Sequence, residues 1–428
     1  MRVMRLQARI RRGAGDGNGF LTMCLALALC LALVSACDLG NASTTPPVGQ
    51  RTVTPGKGAS PTSSPTQDAP TSVYFGTVDY SRNATNSGAV YALNAGDGSF
   101  RWMYPLGQSA NAPTLAKGAL YVTGQNRLFV ALSTITGKAL WKTQTPNVGA
   151  LIDNDTPTSP VVSSGVALVA SATSVGAEGV LTAYSVNSGA PLWTVTSPAT
   201  CDYGQAVADA AQVYTSLSPA CPPVQAQAFT LTGGTSVWKT PIDAAGGYGS
   251  TLYDGTLYLN SFGDVYALRA SDGALLWHKT LQACSPGDDS APSVANGMLY
   301  VGGCDSLDAL TLSDGSLVWS VRLGHPIYWT SVGDGAVFVN PDDGMALQAY
   351  NAQNGSNLWE DTFDNLIPLT PVVVNGVVYL SANAPQIPGG TTTASACAYE
   401  IVAVQAKSGA AIWKFCGHSG TAWLTSVG

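Results

Sequence analysis

Charge is what this sequence has least of. Asp, Glu, Lys and Arg together make up 11% of its 428 residues, against roughly 25% in ordinary soluble domains. Any folded surface must therefore be covered largely by Ser, Thr, Asn, Gly and backbone. Histidine is scarcer still. The three present, His278, His325 and His418, lie far apart and without metal-ligand spacing, which leaves them surface or packing roles. No GxSxG, HExxH or phosphate-cradling glycine loop occurs, so the common hydrolase, zinc-peptidase and nucleotide sites have no support. No two cysteines are adjacent and none stand as CxxC, which argues against a redox dithiol or a zinc site. The formal charge of −7 understates the acidity: residues 1–36 hold five Arg and one acid, and without them 14 bases face 25 acids, a net −11. That balance excludes nucleic acid as the expected partner, and electrostatic docking to anionic lipid with it.

The N-terminal residues 1–36 read as a secretion signal. Arg2, Arg5, Arg9, Arg11 and Arg12 form a positive n-region, and Phe20 to Ala36 an apolar h-region. The stretch Val34-Ser35-Ala36-Cys37 resembles the lipobox of bacterial lipoproteins. That resemblance implies a lipid-modified Cys37 at the mature N-terminus, on the extracytoplasmic side of a membrane. The alternative is an ordinary signal peptide with Cys37 a spare thiol; an uncleaved anchor is disfavoured because the apolar run is short for a bilayer. Two acyl chains, at about 0.8 kcal/mol per buried methylene, hold a protein on a membrane essentially permanently. Residues 37–71 are Ser, Thr, Pro and Gly with almost no large apolar side chains, a disordered linker.

Beyond the linker one pattern dominates: an Ala, a Gly six residues on, and a Trp four beyond that. It stands as Ala92–Gly98–Trp102, Ala131–Gly137–Trp141, Ala183–Gly189–Trp193 and Ala228–Gly234–Trp238. It continues as Ala267–Gly273–Trp277, Ala309–Gly315–Trp319, Ala349–Gly355–Trp359 and Ala403–Gly409–Trp413. Successive Trp residues are 39 to 54 apart, the span of a blade-type repeat rather than of independent domains. Each copy carries short β-branched and aromatic runs at strand length, such as Thr256-Leu257-Tyr258-Leu259 and Val265-Tyr266-Ala267-Leu268. Between the Ala and Trp strands a Gly supplies the positive φ that a tight hairpin needs. A Pro/Ser/Thr-rich stretch such as Ser290 to Val294 precedes each first apolar run and supplies an innermost strand.

Four short antiparallel strands per copy and no helical period predict an all-β fold, an eight-bladed β-propeller over residues 72–428. The first copy lacks an innermost strand. The last residues, Trp423 to Gly428, match an innermost strand elsewhere, Trp329-Thr330-Ser331-Val332-Gly333. The C-terminus is therefore expected to complete the first blade and close the ring.

The Ala–Gly–Trp triplet resembles the tryptophan-docking repeat of the pyrroloquinoline-quinone-type β-propellers. The resemblance implies that Trp102, Trp141, Trp193, Trp238, Trp277, Trp319, Trp359 and Trp413 each pack against a neighbouring blade. The family often has an acid two residues after the Ala; here that position reads Asn94, Ser133, Ser185, Thr230, Arg269, Thr311, Asn351 and Gln405, which predicts altered docking hydrogen bonds. The family divides into quinoprotein dehydrogenases and non-catalytic propellers. The latter include the propeller lipoprotein of the outer-membrane β-barrel assembly machinery and extracellular sensor domains of kinases. The dehydrogenases hold their quinone beside a disulfide of adjacent cysteines, with calcium and an Asp base. No adjacent pair exists here, so pyrroloquinoline quinone with calcium is not the expected cofactor, and no catalytic residue is assigned.

Six cysteines in the repeat region fall into local pairs, Cys201–Cys221, Cys284–Cys304 and Cys397–Cys416, as a disulfide framework in an exported protein requires. The pairs Asp288-Asp289 and Asp342-Asp343 lie in Gly/Pro turns and read as solvated turn residues, not as a metal site. Aligned innermost strands place Tyr248, Tyr328 and Trp423 at one position, a ligand rim at a mouth of the central channel; plain packing of the inner strands is the competing reading. The function expected is a membrane-anchored, monomeric, non-catalytic propeller that binds a protein partner or a cell-envelope glycan. A quinone-dependent alcohol or sugar dehydrogenase and a sensor of a signalling system are the alternatives.

Overall fold

The computed structural model describes Ser72 to Gly428 except residues 79–87, 108, 147–157, 172–178, 199–200, 202, 218–223, 243–248, 262, 282–290, 342–345, 364–365, 385–396 and 419. The leader, the linker and Cys37 lie outside these residues, as do both acidic pairs.

The fifth blade shows how one copy of the triplet folds. Its inner strand Gly249–Tyr253 pairs with Thr256–Ser261, which pairs with Asp264–Arg269, which pairs with the outer strand Leu275–Thr280. Asp254 and Gly255, with φ of 45° and 71°, make the first turn. Two successive left-handed residues twist a two-residue hairpin in the sense its strands require. Asn296–Gly297, Asp334–Gly335 and Asn375–Gly376 repeat that solution in later blades. The fourth blade lacks the Gly, and there the Asp209 carboxylate caps the turn. It accepts the N–H groups of Ala211 and Gln212 and the Tyr214 hydroxyl, each at 2.7 Å. Burial pushes its pKa up, but these hydrogen bonds to the charged form outweigh it and hold the group below the ordinary carboxylate range.

The outer turn explains the fixed spacing. In each blade the motif Ala lies directly opposite the motif Trp, and the ladder then slips by one residue. Ala267 faces Trp277 and Leu268 faces Leu275, so Leu276 is the extra residue of a β-bulge. The bulge re-aims the strand so that the indole leaves its own sheet and meets the next one.

Eight such sheets form the ring, all antiparallel, with no helix among the described residues. Closure is as the end match predicts: Thr421–Val427 pairs with Ser72–Val78, and Ser72 and Gly428 exchange two backbone hydrogen bonds of 3.0 Å. The last blade departs from the plan, because its inner strand is broken into Ile367–Pro368 and Val372–Val374, both pairing with Val377–Asn383. The core lies between blades. Tyr74, Val90 and Trp102 of the first blade pack on Leu120, Val122 and Val130 of the second, and Phe75 and Leu93 of the first on Tyr379 and Trp413 of the last.

Candidate functional site

The docking layer is complete around the ring. The indole N–H of Trp102 donates to the carbonyl of Thr134 at 2.9 Å, Trp141 to Val186 at 2.7 Å, Trp193 to Leu231 at 2.8 Å and Trp238 to Ala270 at 2.8 Å. Trp277 donates to Leu312 at 2.8 Å, Trp319 to Ala352 at 3.0 Å, Trp359 to Ala406 at 2.9 Å and Trp413 to Ala95 at 2.9 Å. Every acceptor is the residue three after the next blade's motif Ala, and the eighth bond returns to the first blade. The motif Gly of that next blade faces the same indole: a Cβ at Gly137 would sit 2.6 Å from Trp102, and one at Gly98 would sit 2.5 Å from Trp413. Gly serves here both for its positive φ and for the space the ring fills.

The expectation of altered docking bonds is corrected by this geometry. The acceptor is a main-chain carbonyl, so the side chain two after the Ala has no part in it. Those side chains cap their own turns instead: Asn94 accepts the N–H of Gly96 at 2.9 Å and Thr230 that of Thr235 at 3.1 Å.

A second inter-blade layer lines the inside of the ring. Ser426 donates to the Pro113 carbonyl at 2.5 Å, Thr114 to Pro160 at 2.5 Å, Ser163 to Asp209 at 2.6 Å and Ser331 to Pro371 at 2.6 Å. Short hydroxyl side chains thus join neighbouring inner strands where little room exists for larger ones.

Of the predicted channel rim, Trp423 is half-buried in the closing strand, opposite Gly76. Tyr328 belongs to the inner strand Ile327–Gly333, and Tyr248 lies outside the described residues. The Cys397–Cys416 disulfide is present, with S–S 2.07 Å and Cα atoms 5.3 Å apart. Its ladder position is diagonal, because Cys416 lies opposite Glu400. Cys201 and Cys304 are also disulfide-bonded; Cys221 and Cys284 lie outside the described residues.

His278 donates its Nε2–H to the Asp264 carboxylate over 3.0 Å and stacks on Tyr266 with ring centroids 4.3 Å apart. This is a half-exposed packing arrangement on the outer edge of the fifth blade. Among the described residues no group of three or more His, Cys, Asp and Glu is placed to hold a metal ion. Two open cavities mark the described surface. One of about 510 Å³ lies at the turns of the last three blades, walled by Asn296, Asp334, Gln353, Leu358 and Lys407. The other, about 250 Å³, lies beside Leu106, Asn126 and Lys142.

The feature missed in the sequence is on the outer edge. The bulge residue before each Trp is Leu140, Leu192, Val237, Leu276, Val318, Leu358 or Ile412 in seven blades and Arg101 in the first. All seven aliphatic side chains are exposed. The signal was readable one position before every Trp, but only the register shows that this position is a bulge.

These features define a tryptophan-docked propeller of eight blades, closed by its own C-terminal strand. The chain belongs to the family described as outer membrane protein assembly factor BamB, whose model matches residues 55–218, 224–322 and 286–416. A search of curated protein sequences finds no match. Among solved structures, BamB from Moraxella catarrhalis is similar at 19% identity and TM-score 0.55, over 70% of this chain and 89% of that one. The quinohemoprotein alcohol dehydrogenase from Comamonas testosteroni is similar at 15% identity and TM-score 0.55, over 70% of this chain and 68% of that one. Dihydro-heme d1 dehydrogenase NirN in complex with DHE is similar at 8% identity and TM-score 0.62, over 85% and 77%. At these identities the likeness concerns the fold, which catalytic and non-catalytic members share.

Proposed function

We propose that this chain is a membrane-tethered, extracytoplasmic propeller lipoprotein that acts as a non-catalytic scaffold for a protein partner. The observation that carries the reading is the family match, which runs through the repeat region to residue 416. Two further features support it. The lipobox-like Val34 to Cys37 and the Pro/Ser/Thr-rich residues 38–71 make a lipid anchor on a leash. The triplet's chemistry is spent on joining blades, and the sequence lacks the adjacent cysteine pair that the resemblance to the dehydrogenases would call for. No cofactor is assigned, and the chain's own C-terminal strand completes the ring, so a monomer suffices. The test is to add pyrroloquinoline quinone and calcium to the purified chain and follow dye-linked oxidation of alcohols and aldoses. No oxidation and no saturable quinone binding are expected. Saturable binding accompanied by oxidation would replace this reading with the dehydrogenase one.

A further inference from the structure

The outer edge of the ring differs from the rest of the molecule in charge. From Ser72 onward the chain has 12 bases and 23 acids. The eight outer strands hold six of those bases, Arg101, Lys142, Lys239, Lys279, Arg322 and Lys414, and only two of the acids, Glu360 and Asp361. An acidic protein thus presents a basic perimeter. Some of these charges are already answered: Arg322 pairs with Asp305 at 2.6 Å, and Lys414 lies 3.4 Å from Glu400. Lys239 and Lys279 take part in none of the ion pairs among the described residues.

The same strands carry the exposed aliphatic side chains, which are densest over three consecutive blades. Val237 is 41% exposed in the fourth, Leu275 and Leu276 are 55% and 43% exposed in the fifth, and Leu317 and Val318 are 51% and 48% exposed in the sixth. These blades are direct neighbours, since Trp238 docks on the fifth and Trp277 on the sixth. No acid lies on any of the three outer strands, Ser236–Pro241, Leu275–Thr280 and Leu317–Arg322. The arc ends at the seventh blade, where Glu360 and Asp361 enter. Lysines on an edge strand are a common guard against unwanted strand pairing, but that role does not call for an aliphatic residue at each bulge. Docking does not require one either, because Trp faces the next blade while the bulge residue faces solvent. Single exposed aliphatic residues are ordinary; five on the outer strands of three neighbouring blades point to an interaction surface.

We propose that the outer strands of the fourth, fifth and sixth blades form a docking surface for a protein segment rich in aliphatic and acidic side chains. The aliphatic cluster supplies buried area, and Lys239 and Lys279 select acidic over basic partners by charge complementarity. His278, on the same strand as Lys279, is engaged by Asp264 at 3.0 Å. This surface rests on the scaffold reading and names the partner's chemistry within it.

The test titrates the full chain, purified in detergent, against an end-labelled twelve-residue peptide of alternating Val and Asp, followed by fluorescence anisotropy. Saturable binding that weakens with added salt is expected. Charge reversal in K239E/K279E should weaken it by about tenfold or more, since close charge pairs across an interface carry much of the selectivity. The variant L276T/V318T should weaken it with little change in the salt dependence. The control K138E/K407E, which alters exposed bases on turns away from the arc, should bind as the unaltered chain does. Equal binding by K239E/K279E, or equal binding of a Val/Lys peptide, overturns the proposal. Capture of phosphatidylglycerol vesicles through Lys239 and Lys279, without peptide binding, also overturns it and assigns the arc to a lipid surface. If the arc variants still crosslink to a partner in membranes, the surface is wrong and the scaffold reading stands. If no variant and no unaltered chain finds any partner, the scaffold reading itself fails.

Discussion

Replacing a glycine by alanine separates the two roles that glycine plays in this ring. Gly118 and Gly137 lie in the same blade, with φ of +76° and +68°. A Cβ at Gly118 meets nothing within 4 Å, whereas at Gly137 it would lie 2.6 Å from Cδ2 and Cε3 of Trp102. Gly118→Ala therefore adds only the cost of a left-handed alanine, about 1 kcal/mol. Gly137→Ala adds the same strain plus displacement of a packed indole, about 1–3 kcal/mol more by the usual cost of overpacking. Urea unfolding followed by Trp fluorescence measures both, with Gly98→Ala as a repeat across the closing junction, where the contact is 2.5 Å. The expected order is a small loss for Gly118→Ala and a loss at least twice as large for Gly137→Ala and Gly98→Ala. Equal losses at all three positions would refute the view that the motif Gly exists to admit a neighbouring indole.

Further perturbations address other contacts. Trp413→Phe removes the hydrogen bond to the Ala95 carbonyl, which keeps the Tyr379 hydroxyl as a donor at 3.3 Å, so a loss of about 0.5–1.5 kcal/mol is expected in thermal or urea unfolding. Removing residues 421–428 takes away the strand paired with Ser72–Val78; an opened, self-associating ring is expected by size-exclusion chromatography, and a monomer with an unchanged melting curve would contradict closure. The double change C397S/C416S should lower stability by about 3 kcal/mol, the loop-entropy value for a closure of this length, visible as a lower melting temperature in non-reducing buffer. Burial pushes the Tyr184 and Tyr203 hydroxyls up from 10.0 to about 12. Between those values the unfolded chain has released protons that the folded chain still holds. Stability is thus fully present below pH 10 and falls as pH rises toward 12; Tyr203→Phe should flatten that fall.

The triplet was legible because its spacing is a geometric constraint. The Ala must face the Trp, the Gly must turn left-handed, and the bulge residue must stand between them, so insertions are not tolerated. Ring closure was legible for a related reason, because Trp423 to Gly428 copies the inner strand around Thr330. What the sequence hid was the acceptor of each indole hydrogen bond. A backbone carbonyl at Thr134 or Ala406 leaves no mark on residue identity, and it lies one residue beyond the position where the family often carries an acid. The broken inner strand of the last blade was hidden as well, since Ile367–Pro368 and Val372–Val374 each resemble a complete short strand. The docking arc became readable only once the register showed Leu276 and Val318 to be bulge residues facing outward.

Chemical crosslinking in native membranes, with the full chain and mass-spectrometric identification, tests the central claim most directly. The account predicts one reproducible protein adduct attached through the propeller, retained when Gly118→Ala leaves the ring folded. Clear binding to envelope glycan with no protein adduct would contradict it.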